Sequence, residues 1–317
     1  MNVLLTILGL ACVIAGADLL VVGATAVARR FRMPDFLIGL AIVGIGTSMP
    51  ELVVSLVAGI EGKGGMAIGN VLGSNLSNTL LILGAVALIH PVSISPNTRR
   101  IDIPYNILVT LVLFFLCFGF DFTAHAAGGV LTRWKGIVLL VLFTGYMVYS
   151  FRTAVRTDAA AQGSPAPAPM RKAVPFIVLG IAGLAAGGRW FVGGASGIAA
   201  ALGVSETVIA ITVVAVGTSL PELATALAAS IRGNTQLALG NIIGSNIFNI
   251  CLILGLTAVV APLDASSVTR IDLAAPLAAS VMLLLSVYTF RGRRINRADG
   301  AVFLLLYTAY IAYLVLH

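Results

Sequence analysis

Ten apolar runs, separated by short polar breaks, set the pattern of the chain. They cover 3–28, 36–60, 66–90, 103–120, 136–151, 173–201, 205–231, 235–261, 272–290 and 299–316. Most approach or exceed the ~20 residues that a helix needs to cross a bilayer. None alternates polar and apolar residues as a barrel strand would. The pattern therefore predicts an all-α membrane protein with ten transmembrane helices. A Pro/Ala-rich stretch, 152–172, divides five runs from five and reads as a linker without a core of its own.

The two fives repeat one another. Aligning each residue with the one 171 later gives 22 identities in 45 positions between 40–84 and 211–255, without a gap. The matches include Thr, Ser, Pro, Glu and Asn, which shared apolar composition does not produce. Five spans per half also turn the second half upside down. The expected domains are a five-helix repeat over 1–151, the linker 152–172, and an inverted five-helix repeat over 173–317, an architecture typical of secondary transporters.

Composition narrows the function. Of 317 residues 59% are apolar and 10% charged, and mean hydropathy is +1.05. A soluble domain carries about 25% charge, so a soluble enzyme, a disordered chain and a nucleic-acid binder are excluded. The net charge of +7 instead reports on topology. One set of alternate loops holds fourteen Lys and Arg, including Arg29, Arg30, Arg99, Arg100, Arg152, Arg232 and the cluster Arg291–Arg297; the other holds four. The richer set belongs in the cytoplasm, together with the linker, which leaves both termini extracytoplasmic. The first basic residues follow the first run rather than precede it, so that run reads as a retained span and not a cleaved signal. Cys12, Cys117 and Cys251 show no disulfide or metal spacing, and the three histidines are scattered.

Two repeated constellations carry the chemistry. The first is Thr47-Ser48-Met49-Pro50-Glu51 with its copy Thr218-Ser219-Leu220-Pro221-Glu222. Proline has no N–H and crowds the carbonyl four residues earlier, so it frees backbone oxygens at membrane depth, where a bound cation is one way to satisfy them. Thr47, Ser48 and Glu51 share a helix face. Hydroxyl, carbonyl and carboxylate oxygens are the ligands that hard cations take. A Glu deep in a span is costly and points to function. The second constellation is Asn70, Ser74 and Asn78, spaced by four, with its copy Asn241, Ser245 and Asn249. Gly69/Gly73 and Gly240/Gly244 add small faces for close helix contact. Asp18 and Arg189 occupy equivalent positions and read as snorkelling or locally paired residues, not as partners of each other.

At these residues the chain resembles the sodium/calcium exchanger family, with paired Gly-Thr-Ser-x-Pro-Glu and Gly-Asn-x-x-Gly-Ser-Asn signatures. The resemblance covers essentially the whole chain. It implies an antiporter that exchanges Ca²⁺ for three Na⁺ by alternating access, in the plasma membrane of a prokaryote. It also implies the ligands. Glu51 and Glu222 would hold Ca²⁺ with backbone oxygens of Thr47 and Thr218. Ser48, Ser219, Ser74 and Ser245 would serve flanking Na⁺ sites with the carbonyls of Gly44 and Ala215, and Asn78 and Asn249 would border the middle site. Where K⁺-dependent relatives carry an acid, this chain has Asn249. No His follows either Glu, which disfavours the proton/calcium branch, although Ca²⁺/H⁺ exchange stays as the alternative. A channel lined by the same oxygens and a membrane hydrolase are the rivals from other classes. No cofactor, nucleic acid or obligatory protein partner is expected; the partners are lipid and the transported ions. The first and sixth spans, rich in glycine, are expected to slide across the rest.

Overall fold

The computed structural model describes residues 1–31, 33–119, 129–156, 170–202, 215–289 and 294–316. The centre of the linker (157–169), the start of the seventh run (205–214), Arg32, Arg291 and Arg293 lie outside the described residues.

The chain is a predominantly helical membrane protein. Its helices are α1 (Asn2–Arg30), α2 (Asp35–Thr47), α3 (Met49–Ile60), α4 (Gly64–Ile89), α5 (Thr98–Phe118) and α6 (Arg133–Arg156). The second half supplies α7 (Met170–Ala201), α8 (Ala215–Thr218), α9 (Leu220–Ile231), α10 (Thr235–Val260), α11 (Arg270–Thr289) and α12 (Arg297–Leu316). A helix stands in each of the ten expected intervals. Among the described residues seven are long and apolar enough to cross a membrane, and α2 and α3 make an eighth span bent by 47°. The expected boundaries of α5 and α6 are too short: α5 begins at Thr98 and takes in Arg99 and Arg100, and α6 begins at Arg133. Both extensions are polar ends of membrane helices, which hydropathy alone trims.

The centre belongs to α4 and α10. Of their apolar stretches 72% and 83% of residues are buried, against 17% for α6. These two helices, equivalent under the 171-residue offset, run antiparallel. The start of α4 abuts the chain beyond the end of α10, where a Cβ on Gly64 would lie 2.9 Å from the Leu263 carbonyl carbon. The start of α10 reciprocates, with Gln236 Nε2 donating to Ser93 O at 2.6 Å just past the end of α4. Four two-residue strands close these ends. β1 (Val92–Ser93) pairs antiparallel with β4 (Arg294–Ile295), and β2 (Val130–Leu131) with β3 (Leu263–Asp264). β1 and β3 are equivalent under the 171-residue offset.

The glycines of α1 and α7 bring these two helices into backbone contact. A Cβ on Gly16 would sit 2.8 Å from both Gly180 O and Leu184 N, and one on Gly187 would sit 2.7 Å from Gly9 O. Contacts run in opposite directions along the two helices, so α1 and α7 also are antiparallel. With backbones this close they form one two-helix ribbon. Asp18 on α1 is locally paired, as expected, and its partner is Arg232 at the end of α9. Arg189 on α7 is exposed.

Candidate cation site

The site begins at two breaks. Ser48 and Ser219 interrupt their helices with φ/ψ of −84°/6° and −87°/4°, the sparsely allowed bridge region. The break therefore falls on the serine and not on the proline. Pro50 and Pro221 stand in the first turn of the next helix, where a missing N–H costs nothing. Glu51 and Glu222 follow in that same turn, where the helix dipole favours a carboxylate.

Both glutamates are 1% exposed, and neither makes an ion pair among the described residues. The groups around them come from both halves. Ser48 Oγ donates to Glu222 Oε1 at 3.0 Å and lies 3.1 Å from Ser245 Oγ. Thr47 Oγ1 donates to Asn241 Oδ1 at 3.3 Å, and Asn241 Nδ2 reaches the Glu222 carbonyl at 3.4 Å. On the other flank Ser74 Oγ meets Glu51 Oε1 only at 3.5 Å, and Ser219 Oγ has no hydrogen-bond partner among the described residues. One flank is thus drawn together, and the flank equivalent to it under the 171-residue offset is slack. The slack side adjoins a cavity of about 230 Å³ whose described lining includes Asn70, Ser74, Ser77, Thr218 and Asp272.

Four acceptors on these helices have no hydrogen-bond partner among the described residues: Glu51 Oε2, Glu222 Oε2, Asn78 Oδ1 and Asn249 Oδ1. Buried acceptors left unpaired are costly, and a set of four that includes two carboxyl oxygens fits a cation held by hard oxygens. Of the remaining expected ligands, the Gly44 carbonyl accepts from Ser48 N at 3.1 Å; the single proton of Thr47 Oγ1, 3.4 Å away, goes to Asn241, so one lone pair is left for an ion. Ala215 opens the short helix α8. Of the outer asparagines, Asn241 is inside the site, whereas Asn70 bonds Ser55 Oγ at 3.1 Å, a turn away.

Three features of the site escape the sequence reading. π-Helical turns occupy Gly39–Val43, Ser77–Ile82 and Phe248–Leu254; such turns collect at functional sites, and here they carry Asn78 and Asn249. Thr225 Oγ1 donates to Pro221 O at 2.6 Å, supporting the second break. Asn75 and Asn246 link the two halves, although their presence in both signature motifs was a visible signal. The small faces behave unequally. Gly240 and Gly244 pack on the Phe36 and Leu40 backbone as expected, whereas Gly69 and Gly73 have nothing within 4 Å among the described residues and line the cavity.

The sodium/calcium exchanger protein family model matches residues 1–152 and 172–316. Similar chains include CaxA of Alkalimonas amylolytica, 40% identical over 314 residues (96% of this chain, 95% of that one). The sodium/calcium exchanger MaX1 of Methanosarcina acetivorans is 32% identical over 346 residues, covering 99% and 98%. A solved structure of the sodium-calcium exchanger NCX_Mj, soaked with 2.5 mM Na⁺ and 0.1 mM Ca²⁺, superposes with a TM-score of 0.83 at 32% identity, covering 98% of this chain and 97% of that one. On the strength of the family match over both halves, the chain belongs to the sodium/calcium exchanger family of membrane cation/calcium antiporters.

Proposed function

We propose that the chain exchanges one Ca²⁺ for three Na⁺ across the plasma membrane of a prokaryote, electrogenically and by alternating access, with both termini extracytoplasmic. The observation that carries this reading is the pair of fully buried glutamates, one from each half, with a free carboxylate oxygen apiece and no basic partner among the described residues. Two ionised carboxylates give the site a charge of about −2. One Ca²⁺ neutralises it, as do two Na⁺; a third Na⁺ leaves +1. The empty site carries its charge uncompensated, and burying such charge is expensive. That penalty discourages return without cargo and makes the exchange obligatory.

Glu51 and Glu222 hold Ca²⁺ centrally with Thr47 and Thr218. Ser48 with Ser245, and Ser219 with Ser74, flank it as Na⁺ sites, joined by the Gly44 and Ala215 carbonyls. The antiparallel packing of α1 on α7 and of α4 on α10 supports the inverted repeat that alternating access uses.

Voltage tests the stoichiometry. Three Na⁺ leaving as one Ca²⁺ enters move one net positive charge outward, at about 2.3 kcal/mol per 100 mV. Ca²⁺ uptake into Na⁺-loaded proteoliposomes is expected to speed up when K⁺ and valinomycin clamp the interior positive, and to slow when they clamp it negative. Voltage-independent uptake would contradict three-for-one exchange. Uptake driven by a pH gradient without Na⁺ would favour the Ca²⁺/H⁺ alternative.

A further inference from the structure

Four asparagines meet where α4 crosses α10, paired by the offset as Asn75 with Asn246 and Asn78 with Asn249. All are at most 3% exposed. Asn75 Nδ2 donates to the backbone carbonyl of Asn246 at 3.1 Å. A carbonyl only accepts, so this bond settles which end of the Asn75 amide is nitrogen. Asn75 Oδ1 then accepts from Asn249 Nδ2 at 3.0 Å. Across the two-fold, Asn246 Oδ1 accepts from Asn78 Nδ2 at 3.1 Å while Asn246 Nδ2 reaches Thr79 Oγ1 at 2.9 Å. Both Asn78 and Asn249 thus have their NH₂ engaged by the opposite half and their Oδ1 left without a partner among the described residues.

We propose that Asn75 and Asn246 are positioning residues: each orients, from the other half, an amide whose oxygen faces the transported cation. This rests on the cage binding Ca²⁺ and Na⁺ as read above. A flipped amide occupies the same space but turns N–H dipoles toward the cation, so shape alone does not set the orientation. Only a partner that accepts from the nitrogen does.

The test is a pair of double-mutant cycles on Ca²⁺ uptake. Asn246→Ala is measured in the unmodified chain and with Asn78→Asp, and Asn75→Ala in the unmodified chain and with Asn249→Asp. A carboxylate has two equivalent oxygens and needs no orienting. Each alanine substitution is expected to raise KM for Ca²⁺ about tenfold, with a smaller change in turnover, and to change KM by less than about twofold in its Asp background. Equal losses in both backgrounds would overturn the proposal and leave these residues as helix glue. If an alanine variant is too scarce for transport, the Ca²⁺-induced rise in its melting temperature reads the same comparison. No Na⁺-dependent Ca²⁺ uptake by the unmodified chain would instead sink the transport reading, and this proposal with it.

A separate observation lies at the ends of the bundle. Arg232 Nε donates to Asp18 Oδ1 at 2.9 Å, tying α1 to the end of α9. Under the offset of 171 Asp18 corresponds to Arg189, and Arg232 to Glu61. The same two positions recur with their charges exchanged. The second pair is not made: Glu61 bonds Lys63 at 2.7 Å, and Arg189 makes no ion pair among the described residues. Correspondingly α1 packs along α9, while among the described residues α7 and α3 make no comparable contact. Glu61 and Arg232 precede the starts of the antiparallel α4 and α10, so they sit at opposite ends. The cavity lies along the half of α4 that begins beside Glu61.

We infer that Asp18–Arg232 and Arg189–Glu61 are alternating latches, one holding its end closed while the cage is reached from the other. Sliding of the α1–α7 ribbon exchanges them. Exposed ion pairs shift such a balance by only about two- to fivefold, which biases a carrier without locking it. The test uses Glu61→Cys/Arg189→Cys in a chain with Cys12, Cys117 and Cys251 replaced by Ala, and a thiol cross-linker about 10 Å long. Adding Arg232→Ala is expected to raise the cross-linked yield about two- to fivefold, whereas Arg232→Lys, which keeps the charge, leaves it near the starting value. A yield insensitive to Arg232→Ala would overturn the exchange of latches.

Discussion

Replacing Glu51 by Gln is expected to lower Ca²⁺ uptake at least about 100-fold, and Glu222→Gln likewise. The magnitude follows from what is removed. Each glutamate is fully buried, and each contributes half of the charge that a divalent ion must find. Losing one partner of a buried charge pair costs about 2–5 kcal/mol, and a fall of 100-fold corresponds to about 2.7 kcal/mol. With one Glu gone the site is about −1, so a single Na⁺ still neutralises it whereas Ca²⁺ leaves a buried +1. Ca²⁺ affinity is therefore expected to fall further than Na⁺ affinity. Ion-induced stabilisation of the purified variants against heat reads the two affinities separately. Equal losses for both ions would mean that the glutamates shape the site rather than set its charge.

Gly240 and Gly69 make the second large contrast, since they are equivalent positions in unequal surroundings. A Cβ on Gly240 would collide with the backbone of Phe36, while one on Gly69 meets nothing within 4 Å among the described residues and projects beside the cavity. Backbone has no rotamer with which to yield. Gly240→Val is expected to destabilise the protein by about 3 kcal/mol, the upper end of overpacking costs, with loss of folded yield. Gly69→Val is expected to leave the melting temperature unchanged and to cut uptake about tenfold by narrowing the approach to Ser74 and Thr218. Thermal unfolding beside uptake checks both. The same behaviour from the two variants would mean that the two sides are equally packed in the working protein.

Much of this arrangement is legible in the chain because it is written twice. Hydropathy locates the membrane helices, and the offset of 171 singles out Thr47, Ser48, Pro50 and Glu51 by repeating them at Thr218, Ser219, Pro221 and Glu222. What stays hidden is how the copies meet. The offset says that Asn75 corresponds to Asn246, but their bonds run to Asn249, Asn78 and the Asn246 carbonyl, which depends on where the two-fold axis falls. The π-turns at Ser77–Ile82 and Phe248–Leu254 add one residue per hydrogen-bonded ring without any change of composition. Proline marks the break in the second span, but bond geometry puts the break at Ser48, because proline is accommodated in the first turn of a helix and not in its middle. Asp18 shows the same limit: its charge is plain in an apolar run, while its partner, Arg232, lies in the other half.

The central claim is that Na⁺, bound at the same oxygens, drives Ca²⁺ across. The direct measurement is radioactive Ca²⁺ uptake into proteoliposomes loaded with Na⁺ and diluted into Na⁺-free buffer, beside vesicles loaded with choline under an imposed pH gradient. Na⁺-loaded vesicles are expected to accumulate Ca²⁺, and choline-loaded vesicles to take up none above protein-free controls. Accumulation under the pH gradient alone, with none driven by Na⁺, would contradict the account.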